Sequence, residues 1–331
     1  MATATGDTAV SATDTARGGG GASSGFFATA PAGNGGAASS AAEATSAGSQ
    51  FVYASASSNG GVGGGAYGVS RRGGNGGGAI ATAQGSSSGG AEVYVGAQQW
   101  GGQGGLGTNG AAGGDGADST MLNAVAGSTA GRLILEQLSR GGRGGNGDAG
   151  AATGKGGDAV SLLTASNPAG GSMKAISTAE GGDGGSGTGR NGRSGTASAA
   201  LDVTTGGGVI AEASAFGGGG LFSLGDGGTA SLTVGSTGVR ATSTGGGAVE
   251  VTGRAEGGDG GQAQGLSDGG RGASVSLLNA VDGWTTGELT LTQVAIGGRA
   301  GGAATGHPAR PAVRAALSAH CPRRASSRRS P

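Results

Sequence analysis

Residues 1–306 of this 331-residue chain contain neither histidine nor cysteine. That absence excludes Ser-His-Asp and Cys-His nucleophile systems, histidine-based zinc sites and zinc-finger spacings from the body, because each needs an imidazole or a thiolate. The one cysteine, Cys321, and both histidines, His307 and His320, follow residue 306, so the body has no disulfide. Aromatic residues make up 3% of the chain. Leu, Ile, Val and Phe together reach roughly 14%, below the level expected of a large globular core. No run of about 18 apolar residues occurs, so no helical membrane span is expected. Ala2-Thr-Ala-Thr-Gly6 has neither the basic start nor the apolar stretch of a signal peptide.

Net charge is absent only from the chain taken as a whole. Lys+Arg 20 balances Asp+Glu 20, yet the last acid is Glu288 and seven arginines follow it, from Arg299 to Arg329. Residues 1–298 therefore hold 13 bases against 20 acids, a net of −7. An acidic body argues against nucleic acid as a partner, since that requires clustered positive charge.

Glycine is what the chain has, 86 residues of it against 6 prolines. Collagen is excluded because Val275-Ser-Leu-Leu-Asn-Ala-Val281 breaks the required glycine at every third position. Any core must be thin and lined by Ala, Val and Leu.

Internal repetition is the strongest positive signal. Gly116–Gly142 aligns without a gap on Gly272–Gly298, with 14 of 27 positions identical. The shared landmarks are Leu-Asn-Ala-Val, a Gly, then Leu-x-Leu-x-Gln and Gly-Gly. Looser copies begin near Ala159, Thr196 and Thr229, at spacings of about 33 to 44 residues, the range of solenoid repeats. Each unit reads as two short strands. In Glu288–Ala295, Leu289 and Leu291 alternate with Thr290 and Thr292, the period of a half-buried strand. Gly127 and Gly131, or Gly283 and Gly287, are expected in the tight link between strands. The other connection is a long glycine run such as Gly141–Gly157. One unit buries few side chains, whereas stacked units bury a continuous stripe. The expected fold is therefore all-β, a repeat β-solenoid of the parallel β-helix kind with long glycine-rich loops. The alternative is disorder in the glycine runs, or their packing as polyproline-II-like strands where only glycine fits.

Few residues suggest chemistry. Asp115, Asp183, Asp226 and Asp259 sit singly on glycine-rich stretches with no aromatic platform beside them, which reads as solvated loop acids rather than a glycosidase pair. The only Gly-Lys, Gly154-Lys155, is followed by Gly156, so the Walker phosphate loop fails. Calcium is the cofactor to test. Gly113-Gly-Asp-Gly-Ala-Asp118-Ser-Thr-Met121 approaches the β-roll nonapeptide, making Asp115 and Asp118 the candidate metal ligands. Thr120 stands where that motif needs a large apolar residue, and no tandem copy follows. Threonine ranks suited to ordering water on ice are disfavoured by the irregular unit length. Trp100 and Trp284 are expected in turns, as packing or as ligand contacts.

The ends differ from the body. Ala2–Gly21 aligns on Ala241–Gly260 with 11 of 20 positions identical, so the chain is expected to begin inside a repeat. Residues 307–331 lack glycine and hold 4 of the 6 prolines. A shift of reading frame near Thr305 accounts for this basic Pro/Arg tail; its functional alternative is an arm for an anionic surface. The domain division is thus 1–306, the glycine-rich β-strand repeats, and 307–331, a tail expected to be out of frame or disordered.

The Leu-Asn-Ala-Val-x-Gly-x-Thr-x-Gly-x-Leu-x-Leu-x-Gln unit of residues 117–142 and 273–298 resembles the β-strand repeats of large bacterial surface and secreted proteins, such as autotransporter passengers and sorting-signal repeat proteins. The Gly-Gly-x runs also look like mycobacterial PE-PGRS proteins, in composition only. The resemblance implies a non-catalytic structural or adhesive segment, extracellular or at the cell surface, with neighbouring repeats and cell-surface or matrix components as partners. A calcium-ordered binding module and a β-helix polysaccharide-active enzyme are the alternatives carried forward.

Overall fold

The computed structural model describes residues 1–302 apart from 26–29, 169, 188–191, 221–224 and 263–268, and beyond them the backbone of Ala316–Ser318. The fold is a flattened β-solenoid built of parallel strands. One face is an 8-stranded parallel sheet of Val10–Arg17, Val52–Asn59, Val93–Trp100, Leu133–Arg140, Met173–Glu180, Val209–Phe216, Val249–Glu256 and Leu289–Ile296. Val10 lies opposite Val52, a step of 42 residues, and Met173 opposite Val209, a step of 36. Both fall within the spacing expected from the repeats. The tail expected at 307–331 lies outside the described residues, except that Ala316–Ser318 pairs in parallel with Ser276–Leu278.

The facing layer is divided between two parallel sheets, one holding Ala2–Gly6, Ala38–Ser46, Ala79–Ser87 and Val125–Ser128, the other Ser119–Leu122, Ala159–Asn167, Ala197–Thr205, Val239–Ser243 and Val281–Trp284. Strands in three turns are interrupted, at Asn123, at Leu232–Gly238 and at Asn279. The core lies between this layer and the 8-stranded sheet. Alternate side chains point inward, as the two-residue period requires. Register then stacks like on like: Val52, Val93, Leu133, Met173, Val209 and Val249 form one column along the axis, all almost fully buried. Alanine fills much of the rest, so the sheets approach closely. At Gly85 a Cβ would meet the Val95 and Val93 methyls at 2.8 and 3.0 Å.

The repeated motif is a device for breaking a strand safely. Asn123 and Asn279 adopt left-handed backbone, φ 53° and 48°, a region asparagine tolerates. The break frees the next N–H, and a glutamine from the 8-stranded sheet takes it. Ala124 N donates to Gln137 Oε1 at 3.2 Å, and Ala280 N to Gln293 Oε1 at 2.8 Å. The same glutamines donate back to the Met121 and Leu277 carbonyls. Thr129 and Thr285 then bond the carbonyls of Ala91 and Gly247, both at 2.6 Å. Gly127 and Gly283, expected in the link, lie instead within strands, where a Cβ would strike Leu133 Cδ1 or Leu289 Cδ1. Gly131 and Gly287 do occupy the link.

The glycine runs, expected as loops with polyproline-II-like packing as the alternative, are packed layers. Each turn leaves the 8-stranded sheet along one glycine-rich segment and returns along another, and the two bond directly to each other. Gly60 N donates to Trp100 O in the next turn, whereas Gly61 N donates across to Gly36 O. Three residues on, Gly63 N repeats the first pattern to Gln103 O and Gly64 N the second to Gly33 O. The period of three is that of a polyproline II helix, which has no internal hydrogen bonds and leaves its backbone groups for neighbours. The cross-layer bonds form a relay along the axis, Gly36→Gly19, Gly61→Gly36, Gly77→Gly61, Gly102→Gly77, and so on to Gly298→Ala273. Distal turns close the loop through left-handed pairs such as Asn109-Gly110, φ 53° and 85°.

Glycine here is a steric requirement. A Cβ on Gly182 would fall well under 3.0 Å from the Gly142 carbonyl, while one on Gly78 would meet nothing within 4 Å. Gly182→Ala is expected to destabilise the fold by about 3 kcal/mol or more, the upper end for overpacking, and Gly78→Ala to stay within about 0.5 kcal/mol. Chemical denaturation of the two variants beside the parent decides it; equal stability of both would remove the steric argument.

Candidate functional site

In the glycine-rich layers every third residue points to solvent, and its N–H lacks the partners its glycine neighbours find. On the returning layer an Asn or Asp one turn earlier supplies the acceptor. Asn34 Oδ1 accepts Asn75 N at 2.8 Å, Asn75 Oδ1 accepts Asp115 N at 3.0 Å, and Asp115 Oδ1 accepts Lys155 N at 2.8 Å. A parallel rank runs Asp118 Oδ1 to Asp158 N and Asp158 Oδ1 to Thr196 N. Asp183, Asp226 and Asp259 do the same for Gly219, Arg271 and Arg299. These acids, read from the sequence as idle loop carboxylates, are clasps between turns.

That placement bears on the calcium candidates. Asp115 Oδ1 also meets Arg72 Nη2 at 2.5 Å, and Asp118 is exposed. A calcium site gathers six to eight oxygens. Among the described residues no group of three or more His, Cys, Asp or Glu could hold a metal. Among the described residues no third carboxylate joins Asp115 and Asp118, and each of the two already has one oxygen engaged by the neighbouring turn.

The sequence reading also missed a groove. Where the 8-stranded sheet passes into the outgoing glycine layer, two glycines separate consecutive outward side chains and leave a notch floored by backbone. Asn59, Trp100 and Arg140 stand on one wall and Val62, Gln103 and Arg143 on the other, around a hollow of about 330 Å³. Three turns beyond Trp100, Phe216 and Glu256 face Gly219, Asp259 and Arg299 around a larger one of about 840 Å³. Asp259 therefore does have an aromatic beside it. Trp100 and Trp284, expected in turns, are the last residues of strands.

Elsewhere on the same sheet Tyr53 and Tyr94 stack at 5.1 Å with rings 6° apart, and Tyr94 donates to Glu136 Oε2 at 2.8 Å. Between the sheets Ser139 bonds Ser119, and Gln137 bonds Ser161, which bonds Ser177. These buried hydroxyls satisfy one another.

No family model matches the chain, and no curated protein or solved structure matches it either.

Two outcomes follow for the carboxylates. Asp115→Asn keeps the accepting Oδ1, as Asn34 and Asn75 do, and is expected to cost less than about 1 kcal/mol, the worth of an exposed ion pair. Asp115→Ala removes the acceptor of the exposed Lys155 N–H, leaving it to water, and is expected to cost about 0.5–1.5 kcal/mol, with no shift of either midpoint on adding calcium. A calcium-dependent midpoint lost in Asp115→Asn would restore the metal reading.

The pH dependence has a sign on each side. Asp14, accepting the Ala41 N–H, and Asp148, accepting that of Gly110, are held below the ordinary 3.8. Their contribution is present above that value and is lost as pH falls through the lowered one. Burial first, then the bond to Glu136, raises Tyr94 above the ordinary 10.0. Its contribution is present below pH 10.0 and is lost as pH rises through the raised value. Stability is expected to be flat between about pH 5 and 9 and to fall on both sides. Thermal midpoints across pH 2–12 test this; a maximum at acid pH would contradict it.

Proposed function

We propose that this chain is a non-catalytic repeat module, a stiff structural and adhesive segment of a bacterial surface or secreted protein. The observation that carries the reading is the hydrogen-bond relay from Gly19 to Gly298, which ties every turn to its neighbours independently of the β-sheets. Bonding of this kind resists bending and shear, because no turn can tilt without breaking bonds in both sheets and both glycine layers. The carboxylates support the same reading: those on the glycine layers serve backbone N–H groups rather than converging on one point. Repeat solenoids gain stability by adding neighbours, which suits a segment whose task is to extend and present a surface.

An extracellular or surface location follows from the resemblance of the repeat unit. It is tested by raising an antibody against residues 38–298 and probing intact cells, culture medium and cell lysate of the source organism. Labelling of intact cells, removable by external protease, or recovery from the medium is the expected result. Recovery from the cytosol alone would sink the proposal.

A further inference from the structure

We propose that the groove between the 8-stranded sheet and the outgoing glycine layer binds an uncharged, linear polysaccharide, a ligand class that rests on the adhesive reading above. Its shape is the first reason. The notch recurs in successive turns because Gly60, Gly101, Gly141, Gly181, Gly217 and Gly257 each follow the last strand residue, so it runs along the axis and suits a chain rather than a compact solute. Register places Trp100, Arg140, Glu180 and Phe216 in one row. At about 4.8 Å per strand the two aromatic rings stand roughly 14 Å apart.

The lining is the second reason. A sugar ring offers apolar C–H faces and a rim of hydroxyls, which match an aromatic ring flanked by planar polar groups. Trp100 has Asn59, Gln103 and Arg140 around it. Phe216 has Glu256, Asp259 and Gln262, and its ring is held by the Arg254 guanidinium 5.6 Å from the centroid. Charge is the third reason. Arg140 is paired with Glu180 and Arg254 with Glu256, and Asp183 and Asp259 accompany Arg143 and Arg299 on the opposite wall. Neither sign dominates, so a polyanion gains nothing along this path.

Gly219 supplies a probe of the groove that leaves the scaffold alone. It occupies an outward position filled by Gln103, Arg143 and Asp183 in other turns, and a Cβ there would meet only Asp183 Oδ1, at 3.4 Å. Gly219→Gln should close the larger hollow without strain.

The test is native gel electrophoresis of the full chain through gels containing hydroxyethylcellulose, with dextran sulfate as the anionic comparison. Retardation by hydroxyethylcellulose is expected. It should weaken at least tenfold in the Trp100→Ala, Phe216→Ala double variant and also weaken in Gly219→Gln, with each variant's far-ultraviolet dichroism unchanged. A folded parent that runs unretarded, retardation unaffected by these changes, or stronger retardation by dextran sulfate would each overturn the proposal. A folded chain that ignores the neutral polymer leaves the structural module standing, since surface location is read by a separate experiment.

Discussion

Direct bonding between two bare backbones is the constraint on which this molecule depends. In most domains two layers are held apart by side chains and held together by burying them. Here, over half of each turn, the layers meet through N–H to carbonyl bonds with nothing between. The relay through Gly61, Gly77 and Gly102 works only if the inner positions carry no Cβ, apart from rare exceptions such as Ala117 and Ala273. Two glycines in three follow from that geometry. So does the low apolar content, because half the cross-section has no hydrophobic core to fill.

The β half inherits the same thinness. The chain passes from the 8-stranded sheet straight into the outgoing glycine layer and from the returning layer straight into the facing strands. Two sheets continuous with layers in backbone contact cannot stand far apart, and their inner faces are accordingly small. Alanine recurs at buried positions, and Gly253 sits where a Cβ would strike Val281 and Leu232. Many of the larger side chains stack in a column, from Val52 through Leu133 and Met173 to Val249, each between its equivalents in the turns before and after. The strands interrupted at Asn123 and Asn279 each free an N–H, and Gln137 and Gln293 offset the loss by accepting it.

The parts legible in the sequence were those written at short range. Alternation of Leu289 and Leu291 with threonines gave the strand and its face, and alignment of two units gave the repeat and its spacing. The motif itself was visible, but not its logic, since the bond from Gln137 to Ala124 joins two sheets across 13 residues. The glycine runs are equally visible and are compatible with loops or with polyproline-II-like packing; nothing local decides between them, because the partner segment lies opposite only once the turn has closed. Asp115 and Asp118 illustrate the limit most clearly. In sequence they sit near a calcium-loop pattern, yet their partners, Lys155 and Asp158, are 40 residues away and are defined only once the turns stack in register.

The steric rule that builds the scaffold also determines where its surface can vary. Inner glycines are fixed by the relay, and inward strand positions by the thin core. What remains free is the outer row of each sheet and every third residue of the glycine layers. Where the two-residue period of a strand gives way to the three-residue period of the glycine layer, two glycines intervene between outward side chains, and a notch forms whatever those side chains are. The groove is therefore a consequence of the architecture, whereas Trp100, Gln103 and Phe216 on its walls are not required by it. Residues that the fold leaves free are thus gathered along a channel that the fold makes unavoidable.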